Sequence, residues 1–215
     1  MPNTDIATMR NLKQGLIRKP LAGAVLMAPY ATAIPTAFTA ATTADLQSLT
    51  GFTSLGHISK EGSPTFSVET ETNDIEAWGL PEAARTDIIS RSTSVSWTGL
   101  ETHKTNLELF HNTTISATPD ATTGEVSFTD PTTPSTVYRR AIFVSVDGAG
   151  TNAIFIIKVM PKFTVTEIGE QQWSEEGALE YPITGVAKTD DVLGYAVRTV
   201  FGGPGWKALS ASHGF

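Results

Sequence analysis

The chain has 215 residues, enough for one domain with a substantial core. It contains no cysteine, which excludes disulfides, thiolate metal sites and thiol nucleophiles. The net charge of −7 is uneven: residues 1–60 carry +3, residues 61–110 carry −6 and residues 111–215 carry −4, so the middle of the chain is unsuited to binding DNA.

The first 33 residues imitate a secretory signal. Arg10, Arg18 and Lys19 precede an apolar run from Leu21 to Met27, and Ala31-Thr-Ala33 resembles a cleavage site. The basic region is long and includes Asp5, and the apolar run is too short to span a bilayer. The preferred expectation for residues 1–50 is an N-terminal arm and lead-in segment held by contacts, since untethered termini are usually disordered. Ala31 to Thr50 is rich in Ala and Thr, with one helical turn expected over Asp45 to Leu49 and Thr42 or Thr43 as its cap. A single domain is expected over 51–215.

Phe52 to Ser59 reads as a strand with a bulge at Gly56, and Lys60-Glu-Gly-Ser-Pro64 as a turn. The long stretch 65–101 then reads as two polar strands folded back on each other. Thr65 to Trp78 carries Phe66, Val68, Trp78 and four acids, Glu69, Glu71, Asp74 and Glu76. In the second strand, Arg85 to Thr98, strict alternation sets Asp87, Ile89, Arg91, Thr93, Val95 and Trp97 on one face. Thr86, Ile88, Ser90, Ser92, Ser94, Ser96 and Thr98 fall on the other. Gly79 to Ala84 is the connecting loop. Such a ribbon extends roughly 40 Å and is marginal alone in water, so its partners are expected outside its own chain.

A helix is expected at about 101–111, with Leu100, Lys104, Leu107 and His111 on one stripe, Phe110 beside it, and Thr105 and Glu108 as a capping box. It is the single helix foreseen. Residues 112–136 form a Thr/Pro-rich solvent loop with one short strand at Glu125 to Phe128. Val137 to Val146 and Ala153 to Met160 make an apolar hairpin covered on both sides, continued by Phe163 and Val165. Leu179, Tyr181 and Ile183 mark a further strand, which Pro182 assigns to an edge. A last strand is expected over Val192 to Phe201, followed by Gly202 to Gly205 and a tail from Trp206 to Phe215 that packs back or reaches a neighbour.

No motif carries catalytic chemistry. Gly148-Ala-Gly150-Thr-Asn-Ala153 imitates a nucleotide fingerprint, but a β-branched run follows it where a helix is required, so it reads as a hairpin turn. His57, His103, His111 and His213 show no zinc spacing, and there is no nucleophile elbow. The pairs Glu69/Glu71, Glu175/Glu176 and Asp190/Asp191 read as solvated acidic faces rather than catalytic or cation-binding pairs. No cofactor or metal is expected.

Taken together, Phe52 to Gly62, Thr72-Asn-Asp-Ile-Glu-Ala-Trp-Gly79, Arg85-Thr-Asp-Ile-Ile89, Ser96-Trp-Thr-Gly-Leu-Glu101 and the helix leading to Phe110 give the chain a family likeness. It resembles the major tail tube proteins of long-tailed, non-contractile bacteriophages, particularly those of actinobacterial hosts, over roughly residues 40–205. The resemblance implies a mainly β fold: a tail-tube-type β-sandwich or barrel with one short flanking α-helix, a long extended β-hairpin and an N-terminal arm. It implies a structural, non-enzymatic protein of the virion tail, made in the host cytoplasm, that assembles into homohexameric rings stacked helically. The lumen of such a tube holds the tape measure protein and DNA without specific binding. Tail terminator and distal tail proteins are the implied neighbours, with no membrane contact.

On that reading the hydroxyl or acidic faces of the hairpin line the lumen, with strand register deciding which face is wet. Glu69, Glu71, Ser90, Ser92 and Ser94 are the favoured lumen-facing positions. Phe66, Val68, Trp78, Val95 and Trp97 are expected to pack on the protein side or between subunits. The alternatives are a secreted adhesin-like β-sandwich, a hydrolase with a carboxylate pair in a concave pocket, or another virion protein such as a tail terminator or capsid decoration protein.

Overall fold

The computed structural model describes residues 5–133 and 135–214. Residues 1–4 of the expected arm, Pro134 of the Thr/Pro-rich loop and Phe215 of the tail lie outside them. The described residues form eight strands: β1 (Ala22–Pro29), β2 (Thr53–Ser54), β3 (Thr65–Ile75), β4 (Arg85–Gly99), β5 (Arg139–Asp147), β6 (Ile154–Ile168), β7 (Tyr181–Lys188) and β8 (Arg198–Gly202). Three short helices accompany them: α1 (Ile6–Arg10), α2 (Lys104–Phe110) and α3 (Pro204–Ala208). All pairings are antiparallel, in the order β2-β1-β5-β6-β7-β4-β3, with β8 also on β6.

The sheet is continuous yet folds over itself. Phe143 in β5 meets Trp97 in β4 at 5.6 Å between ring centroids, although β6 and β7 separate the two strands in the sheet. The bend lies in β6, where the register slips once opposite Arg139 and Ala141 and again between Val165 and Glu167. An extra residue in a strand raises its twist and reverses the side-chain alternation. Ile157 and Val159 therefore face an outer cluster with Phe38 and Ile142, while Phe163 and Val165 face the inner core with Trp97 and Ile183. Pro161, with no N–H to offer a ladder, sits between the two halves. Gly185 makes this core possible: a Cβ there would lie 2.2 Å from the Phe163 ring and 2.7 Å from the Thr164 carbonyl.

One end of the sandwich is closed by α2. Leu109 is buried in the inner core, and the buried Asn106 amide donates to the carbonyls of Leu55 and Glu101. Arg139 at the start of β5 donates to the Thr113 carbonyl at 2.7 Å and lies 3.7 Å from the Glu108 carboxylate, tying the helix to the sheet. Among the described residues the other buried charge is Asp190. Its carboxylate accepts N–H bonds from Val192 and Leu193 and pairs with Arg140 at 3.1 Å, and Arg140 also donates to the carbonyls of Tyr30 and Pro161. That network fastens the ends of β1 and β5 to the β6 bend.

Several expectations are corrected. The apolar run that imitates a signal is β1, an interior strand between β2 and β5. The turn at Asp45 to Leu49 is not helical and instead holds a β-bridge between Thr39 and Leu46. The strand at Phe52 to Ser59 shrinks to Thr53–Ser54, with a single bridge from Ile58 to Gly99. Helix α2 is not alone; its N-cap is His103, Thr105 lies inside it, and its buried face holds Asn106 and Leu109 rather than Leu107. Glu125 to Phe128 forms no strand. Strand β7 is central, between β6 and β4; Pro182 is tolerated as its second residue, where its carbonyl accepts from Gly169. The last strand starts at Arg198, because Asp190 organises residues 190–195 as a turn.

Candidate functional site

The hairpin β3–β4 emerges from the sandwich by a change of partner along β4. Thr93 to Gly99 pair with β7 on one side and, as far as Ser96, with β3 on the other. Arg85 to Ser92 pair with β3 alone, so this half projects free of the body. Strand β3 is the last in the sheet, and among the described residues its outer edge has no strand against it over the eleven residues Thr65–Ile75. A row of unpaired N–H and C=O groups of this length is a ready template for another strand.

Opposed residues in an antiparallel pair share a face, so the register assigns every side chain. Phe66 lies opposite Val95, and this face turns to the core: Val95 and Trp97 are buried, and Phe66 stands edge-on to Phe143 at 5.1 Å. The Lys158 ammonium caps the Phe66 ring at 4.9 Å from its centroid. The other face carries Ser67 opposite Ser94, Glu69 opposite Ser92, and Glu71 opposite Ser90. Glu69, Glu71, Ser90, Ser92 and Ser94 therefore share one face, opposite the side that holds Phe66, Val95 and Trp97; Glu69, Glu71 and Ser90 are exposed on it and Ser92 and Ser94 half-buried. Ser90 Oγ donates to Glu71 Oε2 at 3.0 Å.

Val68 and Trp78 do not join the core. Val68 lies on the inward face but beyond the sandwich, and Trp78 in the connecting loop is fully exposed. The strict alternation expected for β4 also breaks. Between Glu71 and Thr72 the register shifts by one residue, leaving Ile89 as the extra residue. Asp87 consequently moves to the acidic face, opposite Asn73, while Thr86 and Ile88 cross to the face of Arg91. Thr86 Oγ1 donates to Asp74 there at 2.5 Å.

Pairing with β7 and β6 widens the polar surface beyond the hairpin, which sequence reasoning missed. One row runs from Ser94 to Val186 to Thr164, another from Ser96 to Thr184 to Glu167. Alternation within each strand signalled half of this, but only long-range register aligns the rows. The result is a wall of small hydroxyls and carboxylates across β3 and β4 that reaches through Thr184 to Glu167, interrupted by Val186 and by Thr164, which is buried. The concavities lined by Thr65, Ser96 and Thr184 and by Ala117, Asp120 and Ser127 include neither Glu69 nor Glu71, and among the described residues no acidic or histidine cluster is arranged to hold a metal ion. The exposed carboxylates of the wall, Glu69, Glu71 and Glu167, give it a negative charge.

The base of the hairpin is pinned at Glu101. Its carboxylate accepts from the His57 backbone N–H and pairs with the His57 ring. The His57 ring contact, followed by the His57 N–H, holds the Glu101 carboxyl below the ordinary range. Gly56 makes room for that carboxylate, which occupies the space a Cβ would fill. No described helix is long and apolar enough to cross a membrane.

A family model described as phage tail tube protein matches residues 11–193, which spans the whole sheet except β8. No curated protein matches the chain.

Proposed function

Since the chain belongs to the phage tail tube protein family, we propose that six copies join edge to edge into a ring around a hollow axis and that such rings stack into a conduit for the genome. The protein is a structural component of the virion tail and assembles there with copies of itself and with other tail proteins. The free edge of β3 carries the ring proposal. Eleven residues of exposed strand edge on a projecting ribbon are a liability in a monomer and a joint in an assembly. Cyclic closure then requires that one edge meet a different surface on the next copy.

In this ring the wall bearing Glu69, Glu71, Ser90, Ser92 and Ser94 faces the axis. Small hydroxyls hold water, and the carboxylates discourage the DNA backbone from adhering. Val68 and Trp78 meet neighbouring copies, while Phe66, Val95 and Trp97 hold the base of the ribbon. The tube carries no catalytic group: it acts by shape and charge, enclosing the tape measure protein and then DNA, with terminator and distal tail proteins at its ends.

Negative-stain microscopy of the purified protein tests the proposal. Hollow tubes or six-fold rings are expected; compact monomers at every concentration contradict it.

A further inference from the structure

The stretch between α2 and β5 is held at its base and left open to solvent beyond it. Arg139 donates to the Thr113 carbonyl at 2.7 Å, and the Glu108 carboxylate accepts the Ile115 N–H at 3.0 Å. Farther along, the His111 ring pairs with Asp130 at 2.8 Å and stands edge-on to Phe128, 5.0 Å between centroids. Between these pins the described residues form no strand or helix. Asp120 builds the tip: its carboxylate accepts the N–H groups of Thr122 and Thr123, both at 2.8 Å. A connection of this length without secondary structure is uncommon in a compact domain and usually functional.

Twelve residues of 112–136 are Ser or Thr, none is Lys or Arg, and Asp120, Glu125 and Asp130 give the stretch a charge of −3. Thr118, Thr122, Thr129 and Thr132 are exposed, and among the described residues nothing hydrogen-bonds to their hydroxyls. Thr123 differs: its hydroxyl donates to Asp120 at 3.1 Å and accepts the Glu125 N–H at 3.3 Å, so it serves the turn. Pro119 and Pro131 disfavour helical backbone at Thr118 and Asp130 and keep the chain extended there. Hydroxyl-rich stretches punctuated by proline, with no core to build, suit O-linked glycosylation.

We propose that this loop is an acceptor for O-linked sugar, carried on Thr122 at the tip and on Thr118, Thr129 and Thr132. The threonine Oγ1 attacks the anomeric carbon of a nucleotide-activated sugar. The bond from that carbon to the phosphate oxygen breaks, and the nucleoside diphosphate leaves with the electron pair. The hydroxyl proton passes to a base of the glycosyltransferase that catalyses the step. Extended backbone and unengaged hydroxyls let the loop enter such an active site, and the pins at His111 and Arg139 keep the added bulk away from the core. A neutral sugar suits the loop better than a phosphate, whose charge would stand beside Asp120, Glu125 and Asp130 with no Lys or Arg in the stretch to pair with. Asn112-Thr-Thr114 matches an acceptor for N-linked sugar, but Asn112 is half-buried in left-handed backbone, φ 44°, at the end of α2.

Trypsin releases the whole loop in one peptide, Thr105–Arg139, since no Lys or Arg lies between Lys104 and Arg139. That peptide is compared by mass spectrometry from tails of purified virions and from the chain expressed alone in a heterologous bacterium. The expected result is a virion peptide heavier by whole monosaccharide residues, with fragmentation placing them on Thr118, Thr122, Thr129 or Thr132. Thr118→Ala, Thr122→Ala, Thr129→Ala and Thr132→Ala combined in the phage are expected to abolish the added mass. A virion peptide of unmodified mass, a phosphate increment, or sugar confined to Asn112 overturns the proposal. Sugar that persists undiminished in the combined variant overturns it as well. The unsubstituted peptide decides the matter even where that variant fails to assemble, and each of these outcomes leaves the ring proposal standing.

Discussion

Phe66 in β3 and Phe143 in β5 meet edge-on, 5.1 Å between centroids at an interplanar angle of 84°, although three strands separate them in the sheet. The contact seats the projecting hairpin on the folded body and joins the element that builds the proposed tube to the core.

Removing that seat has a graded cost. Trp97→Ala, which leaves a void between Phe143 and Phe163, is expected to lose about 4 kcal/mol. Phe66→Ala, at a half-buried position, loses about 2 kcal/mol. Val68→Ala, two residues outward and exposed, stays within about 0.5 kcal/mol in the isolated chain. Urea midpoints of the three variants give the order directly.

Gly185→Ala tests the bend. The added methyl meets the Phe163 ring and the Thr164 carbonyl together, and a backbone carbonyl cannot turn away as a side chain can. Overpacking here costs about 2–3 kcal/mol. Phe163→Leu in the same background makes room and recovers part of the loss; no recovery in thermal melts would count against this account of the core.

Asp190 supplies an acid-sensitive increment of stability. The Leu193 N–H, with the Val192 N–H and Arg140, holds its carboxyl below the usual range against the opposing effect of burial. A depressed folded-state pKa means the increment is complete above the unfolded-state value, about 3.9, and is lost as pH falls through the lower folded value. Asp190→Ala, which leaves Arg140 facing no anion, is expected to cost about 3 kcal/mol at neutral pH. Asp190→Asn keeps an acceptor for the N–H groups and flattens the acid limb below about pH 4, which denaturation measured across pH 2–7 would reveal.

Charge reversal on the proposed lumen wall separates assembly from conduction. Glu69→Lys with Glu71→Lys changes exposed side chains that no described contact buries. Tubes are expected to form, and DNA release from virions built with the variant to slow or stop. Unchanged ejection and infectivity would remove these residues from the lumen.

How far the sequence could be read follows from what each signal depends on. The Ser90, Ser92, Ser94 stripe and the acids of β3 were legible because alternation is local, and the inner hairpin obeys it. The outer hairpin was not, since one extra residue at Ile89 reverses the faces of Arg85 to Ile88 before it and has no compositional mark. Strand β1 was hidden because an apolar run after basic residues looks alike in a signal and in a buried strand. Pro182 misled for a different reason: at the second residue of β7 its missing N–H costs little, so a central position is open to it. Thr105 and Glu108 matched a capping pattern, yet the helix starts one residue before Thr105, and Glu108 turns instead to Ile115 N–H and Arg139.

The most direct measurement is a cryo-EM reconstruction of the assembled tube at a resolution that traces strands. The account predicts six copies per ring, the outer edge of β3 (Thr65–Ile75) hydrogen-bonded to the adjacent copy, and Glu69 and Glu71 directed at the axis. A ring in which the β3 edge faces bulk solvent and the hairpin lies outside the channel wall would contradict it.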